Sequence, residues 1–127
     1  GRVIRANARH NWPGHSMWNP AHGVGKAVQM GWRDHIVTCG HTHVSGYMPI
    51  KDPATGLVSH AVQVASYKTF DRYADEKGLR DQNIFCCPVT IIDPRYADDD
   101  PRLITFLPDP ESAADYLTWL RVRKTAA

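Results

Sequence analysis

A chain of 127 residues has the length of one domain, and its 43% hydrophobic and 22% charged residues exclude a disordered tail or a low-complexity array. Lys and Arg number 15 against 13 Asp and Glu, a net charge of +2, so no strong basic field steers the chain onto nucleic acid or an anionic membrane. No apolar run approaches the roughly 20 residues of a membrane span, the N-terminus lacks the apolar core of a signal peptide, and Cys39, Cys86 and Cys87 form neither a disulfide framework nor a CxxC pair, so a cytoplasmic protein with reduced thiols is expected.

Residues 3–9 read as a strand that the chain enters with no lead-in, which suggests a piece of a larger domain. Trp12-Pro13-Gly14 follows as a loop. Asn19 then offers a helix N-cap with Pro20 at the first helical position; Val24, Ala27 and Val28 share one face, and Gly31 suits a left-handed end. His35-Ile36-Val37-Thr38-Cys39 is a short β-branched strand that runs directly into Gly40-His41-Thr42-His43. Strand, helix and strand within about forty residues is the spacing of a βαβ unit, which predicts parallel neighbours and functional loops at the strands' C-terminal ends.

Residues 51–56 form a turn, 59–66 alternate as a strand, and 70–77 predict a short helix stopped by Gly78. Strands at 84–92 and 103–107 flank the acidic turn Asp98-Asp99-Asp100-Pro101, most simply as an antiparallel hairpin. Asp109 caps a last helix with Pro110 at its first position; Ala113, Tyr116, Leu117 and Leu120 form its apolar stripe, and Arg121, Arg123 and Lys124 suit its C-terminal dipole. The expected class is α/β with a mixed sheet.

Two imidazoles at His41 and His43, just after a buried strand, would be aimed from one rim into one site, with Gly40 letting the backbone approach an ion without a Cβ clash. A bare His-x-His is ordinarily a pair of surface loop histidines; the strand and the glycine favour the metal reading. His10 ends the first strand of the same βαβ unit, and parallel strands bring their C-terminal ends to one rim, so it can join the pair. A capping or core histidine is its ordinary alternative. His15, on the loop above that rim, can donate a proton or a hydrogen bond to an anion, or simply be exposed.

The order of a strand ending in His10, a helix, and a strand ending in Gly40-His41-Thr42-His43 resembles the C-terminal half of calcineurin-like metallophosphoesterases, whose pattern is Asp-x-His, Gly-Asp, Gly-Asn-His-Asp/Glu, a lone His, then Gly-His-x-His. The last two motifs occur here in that order and the first three do not. Residues 9–16 and 19–23 resemble a bacterial and phage-type subgroup; the resemblance is specific over residues 3–47 and weaker beyond. It implies that residues 1–127 are a partial phosphoesterase domain, part of an α/β/β/α sandwich with mixed sheets. It further implies a hydrolase with a binuclear centre of two divalent ions (Mn, Fe, Ni or Zn), whose bridging hydroxide attacks a phosphodiester or phosphomonoester in line. Carried over by motif, His10 and His41 ligate one metal and His43 the other; the usual proton-donating His belongs to the missing motifs, so His15 is a catalytic candidate from its loop position alone. The bridging carboxylate and the remaining ligands belong to the missing motifs, so this chain alone is expected to be inactive.

Other residues weigh less. Tyr67, Lys68, Asp71 and Tyr73 either line a substrate groove or cap and pack a helix; Trp12 and Trp18 either stack on a substrate or sit in the core; His22 either hydrogen-bonds behind the site or is exposed, His35 and His60 sit at strand starts away from the rim, and Asp98 to Asp100 lack the spacing of a calcium loop. The expected partner is a phosphate ester, nucleic acid or nucleotide among the candidates, and no membrane. Two alternatives stay open: a non-catalytic scaffold of the same fold for protein interaction, and an independent metal-binding module.

Overall fold

The computed structural model describes residues 1–67, 72–78 and 84–125, with Tyr73 and Ala74 described in backbone only. In chain order the elements are β1 (Ala6–Arg9), α1 (His22–Gln29), β2 (Ile36–Cys39), β3 (Gly46–Lys51), β4 (Val58–Gln63), α2 (Arg72–Glu76), β5 (Val89–Ile92), β6 (Ile104–Leu107) and α3 (Pro110–Thr125). The main sheet has the order β1-β2-β4-β3, with β1, β2 and β4 parallel and β3 antiparallel at its edge; β5 and β6 pair antiparallel in a second sheet. The class is α/β with a mixed sheet, and β1, α1 and β2 form the expected parallel unit.

Helix α1 buries Val24, Ala27 and Val28 against Val37, Cys39 and Ala61, with Trp12 and Ala21 completing the core. Full burial of each valine contributes about 1.5 kcal/mol or more. Gly31, at φ +123°, ends the helix by letting the Trp32 N–H reach the Ala27 carbonyl (3.0 Å) and its own N–H reach that of Val28 (3.1 Å). The start differs from expectation. Asn19 Oδ1 accepts the Ala21 N–H at 3.0 Å and the Asn19 carbonyl accepts the His22 N–H at 3.1 Å, so Asn19 and Pro20 build a turn ahead of a helix that begins at His22 without a side-chain cap.

Strand β3 is the element that local propensity missed, because Gly46 and Pro49 both weaken a strand. At the sheet edge a proline's missing N–H costs no ladder bond. Turn 52–57 then joins β3 to β4, with Asp52 and Leu57 bonded at 2.8 Å and Gly56 at φ +77°. β1 is shorter than its apolar start suggested: the Arg5 N–H goes to the His35 ring (3.2 Å), and the regular ladder begins at Ala6. β4 stops at Gln63 and β5 starts only at Val89, after Cys86-Cys87-Pro88. α2 begins at Arg72 and Gly78 follows it at φ +64°; residues 70 and 71 of the expected helix lie outside the described residues.

Met48 and Ile50 face the α1 core, so Tyr47 points to the opposite side of the sheet. There it stacks on Phe106 of β6, ring centroids 4.1 Å apart and 5° from parallel, and thereby docks the β5–β6 hairpin. Helix α3 packs on that hairpin. Asp109 caps it as expected, accepting the Ser112 N–H and hydroxyl at 2.8 Å each. The predicted stripe is only partly covered: Ala113 is buried, Tyr116 and Leu120 are half-buried and Leu117 is exposed. Two strands are too narrow a bed for a helix of 16 residues. Among the described residues no helix is long and apolar enough to cross a membrane.

Candidate metal-binding site

Parallel pairing sets the geometry of the rim. Ala6 is level with Ile36 and Arg9 with Cys39, so the next step places His10 beside Gly40 and His41 one residue beyond. The two rings meet edge to face, centroids 4.5 Å apart and planes at 70°, with His10 Nε2 and His41 Nδ1 at 2.7 Å. One nitrogen must donate a proton and the other accept it, so the contact brings two ring nitrogens face to face at the rim.

The backbone achieves this by an unusual conformation. His41 has φ +75° and His43 φ +58°, left-handed values that cost a non-glycine residue about 1–2 kcal/mol each. The Thr42 N–H closes on the Gly40 carbonyl at 3.0 Å, a γ-turn centred on His41. Sequence logic assigned the special backbone to Gly40. Yet a Cβ there would meet only the Val64 carbonyl, at 3.9 Å, and the positive φ falls on the histidines instead. Strain of this kind persists where the surroundings hold it and is concentrated at functional sites.

Three further groups hold the rim. Trp12, buried, donates its Nε1–H to the Thr38 carbonyl at 3.3 Å. The Arg9 guanidinium lies 4.1 Å from the Trp12 ring and 4.2 Å from that of Trp32, a cation between two indole faces that fixes the residue before His10. Gln63, at the end of β4, contacts both the Cys39 thiol and the Gly40 carbonyl. Burial pushes the Cys39 thiol up, against a weaker opposing contact with the Trp12 backbone, so it stays a neutral thiol rather than a ligand.

The other expected residues are placed as follows. His43 is exposed, two residues beyond His41, and His15 is exposed on the loop that precedes α1. Among the described residues no group of three or more His, Cys, Asp or Glu side chains stands together as a metal site; the rim histidines in direct contact are His10 and His41. Trp12 is core and Trp18 is 91% exposed. His35 and His60 are buried at the far end of the sheet. Gln63 and the Arg9 sandwich went unnoticed in the sequence; a glutamine inside the apolar alternation of residues 61–65 was the signal for the first. Compared with family models, curated proteins and solved structures, the chain matches none.

Proposed function

We propose that this chain supplies one metal-ligating edge of a cytoplasmic, metal-dependent phosphoesterase, acting on a phosphodiester or phosphomonoester. The observation that carries the reading is the His10–His41 contact at the C-terminal rim of parallel strands, where α/β folds gather their chemistry. The resemblance to the lone-His and Gly-His-x-His motifs of metallophosphoesterases supports it. The packing of α1 on one sheet face, of the β5–β6 hairpin on the other, and of α3 on that hairpin is compatible with an α/β/β/α sandwich.

The pair fits a single borderline divalent ion. Nitrogens about 2.0–2.1 Å from such an ion stand about 2.9 Å apart at a right angle and about 3.4 Å apart at the tetrahedral angle. The observed 2.7 Å would have to open by about 0.2 Å for the first and about 0.7 Å for the second, with both rings turning off the line that joins their nitrogens. The described residues do not fit a binuclear centre, because no carboxylate joins the pair to offset a second dication. A bound ion would polarise a phosphoryl oxygen and acidify a coordinated water. In this reading His10 and His41 would hold that ion, His43 would ligate a second one together with ligands outside these residues, and His15 would give a proton to the leaving group.

Calorimetric titration with Zn²⁺ or Mn²⁺ is expected to give at most one weakly bound ion, abolished by His10→Ala or His41→Ala, with no hydrolysis of a chromogenic phosphodiester. Tight binding of two ions with metal-dependent turnover would overturn the partial-site reading. Binding indifferent to both substitutions would remove the pair from metal chemistry. In a protein that contains this chain and cleaves a phosphate ester, His41→Ala is expected to lower turnover by orders of magnitude.

A further inference from the structure

The strained turn at His41 needs a partner that holds it, and the side chain in reach is Gln63. It is 4% exposed, at the last position of β4, level with Cys39 of β2. Its amide orientation follows from chemistry. The Gly40 carbonyl can only accept, so the Gln63 NH₂ must face it, and the amide oxygen then faces the Cys39 thiol at 3.1 Å. The Gly40 oxygen therefore receives two donors, the Thr42 N–H and the Gln63 amide. The first closes the γ-turn through His41 and the second ties that turn to the neighbouring strand. The Val64 N–H bonded to the Cys39 carbonyl at 2.8 Å holds the two strand ends together beneath them.

We infer that Gln63 is a positioning residue, whose buried amide locks the Gly40 carbonyl so that His41 keeps its left-handed backbone and presents its ring nitrogen to His10. A carbonyl held by two donors cannot rotate out of the turn without leaving the Gln63 amide unpaired in the core. Leaving the turn would also release the His41 φ to a β value and swing the ring off the rim. The functional consequence, control of metal affinity by a residue that touches no metal, rests on the metal reading of the pair; the positioning itself does not.

The test is long-range ¹H–¹⁵N spectroscopy of the metal-free chain. In the unmodified protein, His10 and His41 should show the complementary protonated and unprotonated nitrogens of a ring-to-ring hydrogen bond. The Gln63 side-chain amide protons should exchange far more slowly than those of exposed Gln29. Gln63→Leu and Gln63→Glu should erase the paired pattern at His10 and His41, while the signals of buried His35 and His60 stay unchanged and report an intact fold. Zn²⁺ titration of the same variants should show affinity about 10–100-fold weaker, the usual cost of losing a group that orients a ligand. A Gln63 amide that exchanges as fast as that of Gln29 overturns the proposal without any variant, and covers the case in which both variants unfold. So does an unchanged ring pair in a folded Gln63→Leu protein. If the unmodified chain binds no metal but the variants still lose the ring pair, the metal reading fails and the positioning role stands.

Discussion

The main sheet carries a pair of histidines at each end, and the two ends use the same side chain in opposite ways. At the C-terminal rim, His10 and His41 are exposed, meet each other ring to ring, and rely on the positive φ of His41. At the far end, His35 is 1% exposed: its Nδ1 accepts the Arg5 N–H at 3.2 Å and its Nε2–H points to Asp98 at 3.4 Å, which also holds Arg2 at 3.1 Å. Beside it, the buried His60 Nδ1 is hydrogen-bonded with the Tyr47 hydroxyl at 2.7 Å, and Tyr47 stacks on Phe106. The far pair ties the hairpin and its loop to the sheet. A histidine whose ring nitrogen is committed to a backbone N–H or a tyrosine stabilises the fold and has nothing left for a ligand; one held by strain against another histidine contributes little to the fold and remains free for chemistry.

The largest effect that can break this contrast is on stability. His35→Ala leaves the Arg5 N–H without its partner and opens a cavity, and should lower unfolding free energy by about 3 kcal/mol in urea denaturation. His10→Ala, at an exposed site, should stay within about 0.5 kcal/mol of the parent. Equal losses at the two positions would erase the distinction. The mirror experiment concerns the ion. His41→Ala removes a ligand outright, so Zn²⁺ affinity should fall by more than the roughly 10–100-fold expected for a supporting residue, with the denaturation midpoint nearly unchanged. His35→Gln, chosen to limit the cavity, should leave that affinity alone.

Part of this contrast is legible in the sequence, and the remainder is hidden there for definable reasons. The apolar face of α1, the parallel β1–β2 unit and the convergence of His10 with His41 follow from periodicity and from the rule that parallel strands share a rim. β3 was invisible because an edge position tolerates a proline that no propensity scale admits to a strand. The far-end network was invisible because it is made of contacts between residues 2, 5, 35, 47, 60, 98 and 106, far apart in the chain and brought together only by strand pairing and by the hairpin's docking. The left-handed histidines ran against the local rule altogether: a glycine stood next to them, and tertiary contacts to its carbonyl gave the special backbone to its neighbours. Sequence patterns thus located the rim, while its geometry came from β4, two elements further along the chain.

A smaller effect separates the ends by pH. Burial, and secondarily the nearby His35, holds the His60 pKa below its ordinary value, while Tyr47 is pushed up by burial and keeps its proton. The unfolded chain takes up a proton at this residue near about pH 6.5, and the folded chain takes it up only at lower pH. Between those points the unfolded state binds more protons, so stability is full above about 6.5 and falls as the pH drops toward the folded pKa. Denaturation midpoints from pH 7.5 down to 5 should therefore show a decline on the acid side that His60→Gln flattens. An acid limb unchanged by that substitution would deny His60 this part in the far-end network.

The smallest effect lies at the rim itself, where its sign matters more than its size. His41→Gly exchanges a left-handed histidine for the residue that adopts φ near +75° without a Cβ penalty. Relief of about 1–2 kcal/mol in the folded state is offset by about 0.5–1 kcal/mol of extra chain entropy in the unfolded state. The metal-free protein should thus gain between nothing and about 1.5 kcal/mol in urea denaturation, while losing its capacity to bind Zn²⁺. A residue whose replacement steadies the fold and removes the ligand is held in place for chemistry. Clear destabilisation by His41→Gly would instead mean that the ring contact with His10 serves the fold, and the two ends of the sheet would then differ in exposure alone.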